Sequence, residues 1–240
     1  MRFEPLLLLD YWDILLKGAL LTVQVTAMAF VFGYILGIAV ALLAMAPSRI
    51  ARAIAGTYVE VLRNIPFIII LFLVYYGLPF SGLRMPALFA GTLALSLFVS
   101  AYYAEIVRAA ILALPRGQFE SARAIGMSPA QAMRHIVGPQ VMRTIIPPST
   151  NMTLTMMKES AVLSSITVPE LTYQSLVVQG NTFAPFEVFA AVTLIYWLIA
   201  ATIAEASRRL EKRVGLAQTE NVTRNKIADR YLSLERRPAR

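Results

Sequence analysis

From Gly18 to Met45 the chain reads GALLTVQVTAMAFVFGYILGIAVALLAM, and no charged side chain interrupts it. A helix needs about 20 apolar residues to cross the hydrocarbon core of a bilayer. Inside lipid, every backbone N–H and C=O must also be satisfied within the segment. A run of this length and character therefore has one stable home, as a helix in a membrane. Four further segments have similar reach. They are roughly 58–79 (YVEVLRNIPFIIILFLVYYGLP), 87–112 (ALFAGTLALSLFVSAYYAEIVRAAIL), 146–167, and 184–206, which contains FEVFAAVTLIYWLIAATIAEA. Barrel strands would read as alternating pieces of about ten residues, and these do not. The expectation is an all-α polytopic membrane protein with about five transmembrane helices.

The balance of residue types agrees. Hydrophobic residues make up 58% of the chain and charged ones 15%, against about 45–50% and about 25% in soluble domains. With no cysteine, neither a disulfide framework nor a thiolate metal site is available. A single histidine, His135, leaves no histidine zinc centre or hydrolytic triad. No metal site and no catalytic residue are expected. Nor do Met1–Leu9 have the length or the small-residue cleavage site of a signal peptide.

Basic residues orient the spans. With the N-terminus outside, Arg49, Arg52, Arg116, Arg123, Arg134 and Arg143 fall on the cytoplasmic side, as does the tail from Arg208 to Arg240. The outside keeps Arg2, Lys17 and Arg84, and the loop near 168–183 has no basic residue. The expected arrangement is N-out and C-in. Residues 1–17 form an outer N-terminal segment, 18–206 the membrane domain with a central loop at 115–139, and 207–240 a basic cytoplasmic tail. That tail reads as an anchor on anionic lipid. Its lone aromatic, Tyr231, argues against nucleic acid.

The central loop carries unusually clear local signals. Phe119, Ala122 and Ile125 recur at helical spacing in GQFESARAIGMS. Glu120 sits in the first turn, where the helix dipole favours an acid, and Gly126 falls where a left-handed C-cap belongs. Ser128, Pro129 and Gln131 then spell a capping box with proline at the first helical position. A second helix carrying Met133, Ile136 and Val137 should follow and break at Gly138-Pro139. Two rigid short helices with a glycine hinge suit either the docking of a partner or an amphipathic pair on the membrane surface.

The stretch ESARAIGMSPAQAMRHIVGPQ, Glu120 to Gln140, resembles the EAA motif of permease subunits of bacterial ABC importers. The matching positions are Glu120, Ser121, Ala122, Gly126, Ile136, Gly138 and Pro139, with Ser121 and Gly138 departing from the pattern. YVEVLRNIPFIIILFLVYYGLP, AYYAEIVRAAILALPRGQFESARAIGMS and MMKESAVLSSITVPEL look like the span signatures of the polar amino acid branch. The likeness covers roughly residues 15–215 and implies a MetI-like ABC permease fold. It implies that Phe119, Glu120, Ser121, Ala122, Ile125, Gly126, Met127 and Ser128 form a coupling helix seated on an ABC ATPase subunit. The chain has no G-x-x-x-x-G-K-[ST]. The resemblance accordingly implies a transport subunit rather than an enzyme, no cofactor on this chain, and ATP with Mg on a partner ATPase dimer. A second permease chain, identical or homologous, and a periplasmic solute-binding protein complete the implied assembly in the bacterial inner membrane.

Lys158 and Glu159 interrupt the fourth apolar segment. Charges at bilayer depth are costly and face a protein interior or a water-filled cavity. As neighbours on a helix they diverge by about 100° and cannot simply pair. They suit a structural salt bridge to another span, snorkelling to the interface, or a site for a zwitterionic solute. The resemblance favours the last, with Lys158, Glu159 and Ser160 on the path; Ser100, Tyr102, Tyr103 and Glu105 lie at the polar end of the third span, placed to complete the pocket. Glu105–Arg108 and Glu60–Arg63 are spaced as intrahelical ion pairs, and Gly33-x-x-x-Gly37 as a close helix contact. The expected function is ATP-driven, binding-protein-dependent import of polar amino acids or related zwitterions. Alternatives are an opine or ectoine permease, or a secondary transporter, which would show an inverted repeat.

Overall fold

The sequence of α1 (Trp12–Ala44) is apolar all round, so spacing alone does not say which side packs. Its small residues do. Thr22, Thr26, Ala29, Gly33 and Gly37 are buried at helical spacing, and Gly33 and Gly37 lie against α4 (Ala87–Leu112), the most buried of the candidate spans among the described residues. A Cβ on Gly33 would stand 2.5 Å from Val99 Cγ2, and one on Gly37 would stand 2.7 Å from Tyr103 Cβ. The two glycines thus let the helix backbones approach as the small-xxx-small spacing requires. The computed structural model describes residues 9–115 and 117–214. The expectations for Arg2, Arg116 and the tail beyond residue 214 lie outside these.

The second apolar segment is not one helix, contrary to expectation. α2 (Arg49–Asn64) stops at Ile65, whose ψ of 133° is extended, and α3 (Phe67–Gly77) departs at 107°. The cause is local. Pro66 offers no N–H and disfavours helical backbone at the residue before it. Ser48 caps α2 by accepting from the Ala51 N–H at 3.4 Å. A 3₁₀ turn, Leu78–Ser81, and left-handed Gly82 then lead to α4.

After α4, α5 (Gly117–Ala124) ends in a Schellman pattern. Gly126 N–H reaches Arg123 O at 2.9 Å, Met127 N–H reaches Ala122 O at 3.0 Å, and Gly126 takes φ 80°. Ser128 Oγ accepts from Gln131 N–H while Gln131 Oε1 accepts from Ser128 N–H, so the expected capping box forms. The expected break at Gly138-Pro139 does not. α6 (Pro129–Ala132) runs through a π turn, Met133–Val137, straight into α7 (Gly138–Glu159). The widened turn sends Gly138 N–H to Met133 O. It accommodates Pro139, which has no N–H of its own to give. Gly138 is needed there because a Cβ would stand 2.7 Å from that carbonyl.

The fourth segment also changes character. α7 ends at Glu159, and Ser160–Ile166 continues as a 3₁₀ helix. The hydroxyls of Ser160, Ser164 and Ser165 bond to carbonyls three residues back, the local competition that serine offers a helix. The expected loop near 168–183 is instead mostly α8 (Leu171–Thr182), followed by α9 (Pro185–Arg213). Among the described residues, α1, α4 and α9 are each long and apolar enough to span a bilayer, and α2 with α3 qualifies only as a bent pair. α7 does not qualify by composition, because Thr144, Asn151, Thr155 and Lys158 share one exposed face.

Candidate functional site

The break between α2 and α3 creates the polar interior. Arg63 lies at the end of α2, and its guanidinium carbon sits 5.3 Å from the centre of the Tyr102 ring on α4, within cation–π range. The expected Glu60–Arg63 ion pair is absent among the described ion pairs. Arg63 has turned toward Tyr102 instead, and Asn64 Nδ2 takes the Glu60 carbonyl at 2.7 Å. The other expected pair forms: Arg108 Nε donates to Glu105 Oε2 at 3.0 Å.

Three adjoining cavities open around Arg63 and Tyr102. One of about 580 Å³ also touches Arg52, Glu60, Glu105 and Arg108. A second, about 470 Å³, reaches Asn64, Phe98 and Glu159. The third, about 290 Å³, runs beside Glu105, Pro148, Asn151 and Thr155 of α4 and α7. Their lining mixes the guanidiniums of Arg52, Arg63 and Arg108 with carboxylates, the amides of Asn64 and Asn151, and the Tyr102 phenol. That is the polar equipment for holding a small charged or zwitterionic solute in a membrane protein.

The sequence-derived path residues separate on this geometry. Tyr102 and Glu159 face the cavities. Lys158 is exposed on α7, on the same face as Asn151 and Thr155, and lines none of the three. Ser100, Tyr103 and Ser160 are sealed between helices. Ser100 Oγ meets Tyr58 Oη at 2.7 Å, Tyr103 Oη meets Thr153 Oγ1 at 2.9 Å, and Ser160 Oγ donates to Met157 O at 2.7 Å. In this chain alone, those three act on packing rather than on a cavity surface.

In the loop, Ala122 is fully buried under α5, whereas Phe119 is 36% exposed and Ile125 is 74% exposed. The loop is fastened to the body: Gln140 Nε2 of α7 donates to Gln118 Oε1 of α5 at 3.3 Å. α5 is thus a short capped helix, tied to α7 and carrying exposed apolar side chains.

Sequence reasoning missed Glu170. It is wholly buried and caps α8, accepting from Thr172 N–H at 2.9 Å and Tyr173 N–H at 2.8 Å. Tyr196 Oη of α9 donates to it at 3.1 Å and Thr22 Oγ1 of α1 at 3.5 Å. One carboxylate therefore ties three helices together. The signal was present: Glu170 is the lone charge between Glu159 and Glu187.

Comparison with known proteins agrees with this architecture. Residues 33–216 match the family described as "Binding-protein-dependent transport system inner membrane component". The chain is 35% identical to the probable glutamine ABC transporter permease protein GlnM of Bacillus subtilis (strain 168), over 87% of this chain and 96% of that one. It is 32% identical to the arginine ABC transporter permease protein ArtQ of Haemophilus influenzae, over 85% and 95%. Among solved structures, an amino acid ABC transporter crystallised with histidines matches at 35% identity and a TM-score of 0.82, covering 89% of this chain and all of that one. The inward-facing MetNI methionine ABC transporter shares the fold, at 22% identity and a TM-score of 0.71. The chain belongs to the binding-protein-dependent transport system inner membrane components, the MetI-like ABC permeases.

Proposed function

We propose that this chain is the transmembrane permease subunit of an ATP-driven importer of polar amino acids or closely related zwitterions. The observation that carries the reading is the coupling loop, a Schellman-capped helix pinned through Gln118–Gln140 that leaves Phe119 and Ile125 bare. It occurs in a chain whose relatives include glutamine and arginine permeases. Residues Phe119 to Ser128 dock in a cleft of an ABC ATPase dimer, which holds ATP and Mg. A second permease chain shares the pathway, and a periplasmic binding protein delivers solute.

The chain lies N-out and C-in in the bacterial inner membrane, with about five membrane segments: α1, the bent α2–α3 pair, α4, α7 and α9. Residues 1–17 are periplasmic and 207–240 form the basic cytoplasmic tail. The solute path runs past Tyr102 and Glu159, with Ser100, Tyr103 and Ser160 shaping it from behind and Lys158 facing the partner chain or its water. ATP and loaded binding protein both favour the outward-open state, so transport is a population shift between two permease arrangements.

Co-purification with the ATPase tests the docking step. Phe119→Ala with Ile125→Ala should reduce recovery of the ATPase and lower ATP turnover stimulated by loaded binding protein by about tenfold, the scale of losing interface anchors. Membrane insertion should be unchanged. Normal assembly and stimulation in that variant would refute the coupling assignment.

A further inference from the structure

We propose that Arg63 receives the carboxylate of the solute, with Glu159 across the same cavity placed for its ammonium group. This rests on the amino-acid import reading above and assigns the charge recognition within it.

Arg63 sits one residue before Asn64, at the last turn of α2, where Ile65-Pro66 breaks an otherwise apolar segment. Its position is thus fixed by the element that makes the polar interior. The two neighbouring guanidiniums are already engaged. Arg108 is held by Glu105, and Arg52 donates to the Ala46 and Pro47 carbonyls at 2.9 and 2.8 Å. Among the described residues, no carboxylate lies within ion-pair distance of Arg63. What it has is the Tyr102 ring, 5.3 Å from the guanidinium carbon.

The Tyr102 ring faces the guanidinium carbon, and among the described contacts no carboxylate occupies the guanidinium's N–H edge. That edge is the planar fork which matches a carboxylate bidentately. Arg63 and Tyr102 line all three cavities, so they stand where the compartments meet. Glu159 and Asn64 share the second cavity with them. An α-amino acid carries both charges on one carbon, and this cavity offers the two opposite charges without their having closed on each other. Lys158 is exposed and lines none of the three cavities. The carboxylate site therefore falls to α2, a helix that contributes no sequence-derived candidate.

The test uses the complex of this chain with its ATPase and binding protein, reconstituted in liposomes. Uptake of labelled L-glutamine, L-arginine and L-cystine is measured for wild type, Arg63→Gln and Arg63→Lys. Wild type should carry at least one of the three. Arg63→Gln should cut that uptake about tenfold or more, the cost of one charge-assisted pair. Recovery of the ATPase with the purified Arg63→Gln complex shows that the variant assembles.

A second readout separates recognition from mere packing. In detergent, without binding protein, the carried amino acid should raise the thermal midpoint of the wild-type complex while its α-carboxamide does not. Arg63→Gln should lose that preference. Should Arg63→Gln fail to assemble, Arg63→Lys decides in the same assay, and a weaker but persistent preference is the expected result, because a point charge replaces a fork. Wild-type uptake and an intact carboxylate preference in Arg63→Gln, or undiminished binding in Arg63→Lys, would overturn the proposal. If wild type carries none of these three nor any other solute from a panel of polar amino acids and related zwitterions, the import reading fails first and the assignment falls with it.

Discussion

Glu170 shows how much one side chain can organise. Its two oxygens serve two backbone N–H groups of α8 and hydroxyls from α1 and α9. Glu170→Gln keeps the shape but replaces one acceptor with an amide that can only donate. The hydroxyls of Thr22 and Tyr196 can rotate to accommodate it; the backbone donors of Thr172 and Tyr173 cannot. One buried N–H is left unpaired, a cost of about 1–3 kcal/mol. The expected outcome is a lower thermal midpoint of the purified chain with Glu170→Gln and a further fall with Glu170→Ala. An unchanged midpoint in both would mean that the three helices are held by their apolar contacts alone.

Among whole elements, glycine positions predict opposite effects from the same substitution. On Gly37 of α1, a methyl would stand 2.7 Å from Tyr103 Cβ and 2.9 Å from Ser100 O, atoms that no rotamer change can move. Gly37→Ala should destabilise by about 1–3 kcal/mol through overpacking. Gly56 of α2 has nothing within 4 Å of its Cβ position, so Gly56→Ala should stabilise by about 0.5–1 kcal/mol, the difference between the two residues inside a helix. Thermal midpoints of the two variants in one detergent give the comparison, and a shared sign would show that α1–α4 packing is looser than described. This contrast also marks how far the elements could be read in advance. The Gly33/Gly37 contact, the Gly126 cap and the Ser128–Gln131 capping box followed from spacing, because each depends on residues within a few positions of one another. The continuation through Gly138-Pro139 did not. A π turn pairs a carbonyl with an N–H five residues on, here Met133 O with Gly138 N–H, and a glycine-proline pair more often reads as a stop. Glycine's other role, close approach, was legible at Gly33 only because its partner repeats four residues on.

For the whole molecule, the question is where water runs through an apolar chain. Sequence alone located the charged interruptions, Lys158, Glu159 and Glu105, but not which of them look inward. Burial of Ser100, Tyr103 and Ser160 and the exposure of Lys158 follow from tertiary packing of α4 and α7, to which local spacing is blind. Arg63 was misjudged for the same reason, since the break at Pro66 decides its direction. α7 nonetheless keeps a regular exposed face: Thr144, Asn151, Thr155 and Lys158 sit three, four or seven residues apart, against buried Ile145, Met152 and Met156. Hydroxyls, an amide and an ammonium facing lipid would be costly, so this face is expected to border a water-filled path shared with the partner permease. The absence of cysteine makes the test clean. Single cysteines placed at Thr144, Asn151, Thr155 and Lys158 should react with a small charged thiol reagent about tenfold faster or more than those at Ile145, Met152 or Met156, because only the thiolate reacts and burial in apolar surroundings suppresses it. ATP binding to the assembled complex should change the rates along the stripe in sequence order, as one end of the path closes and the other opens. Uniform protection of all four positions would place α7's polar face in a dry contact and move the path away from it.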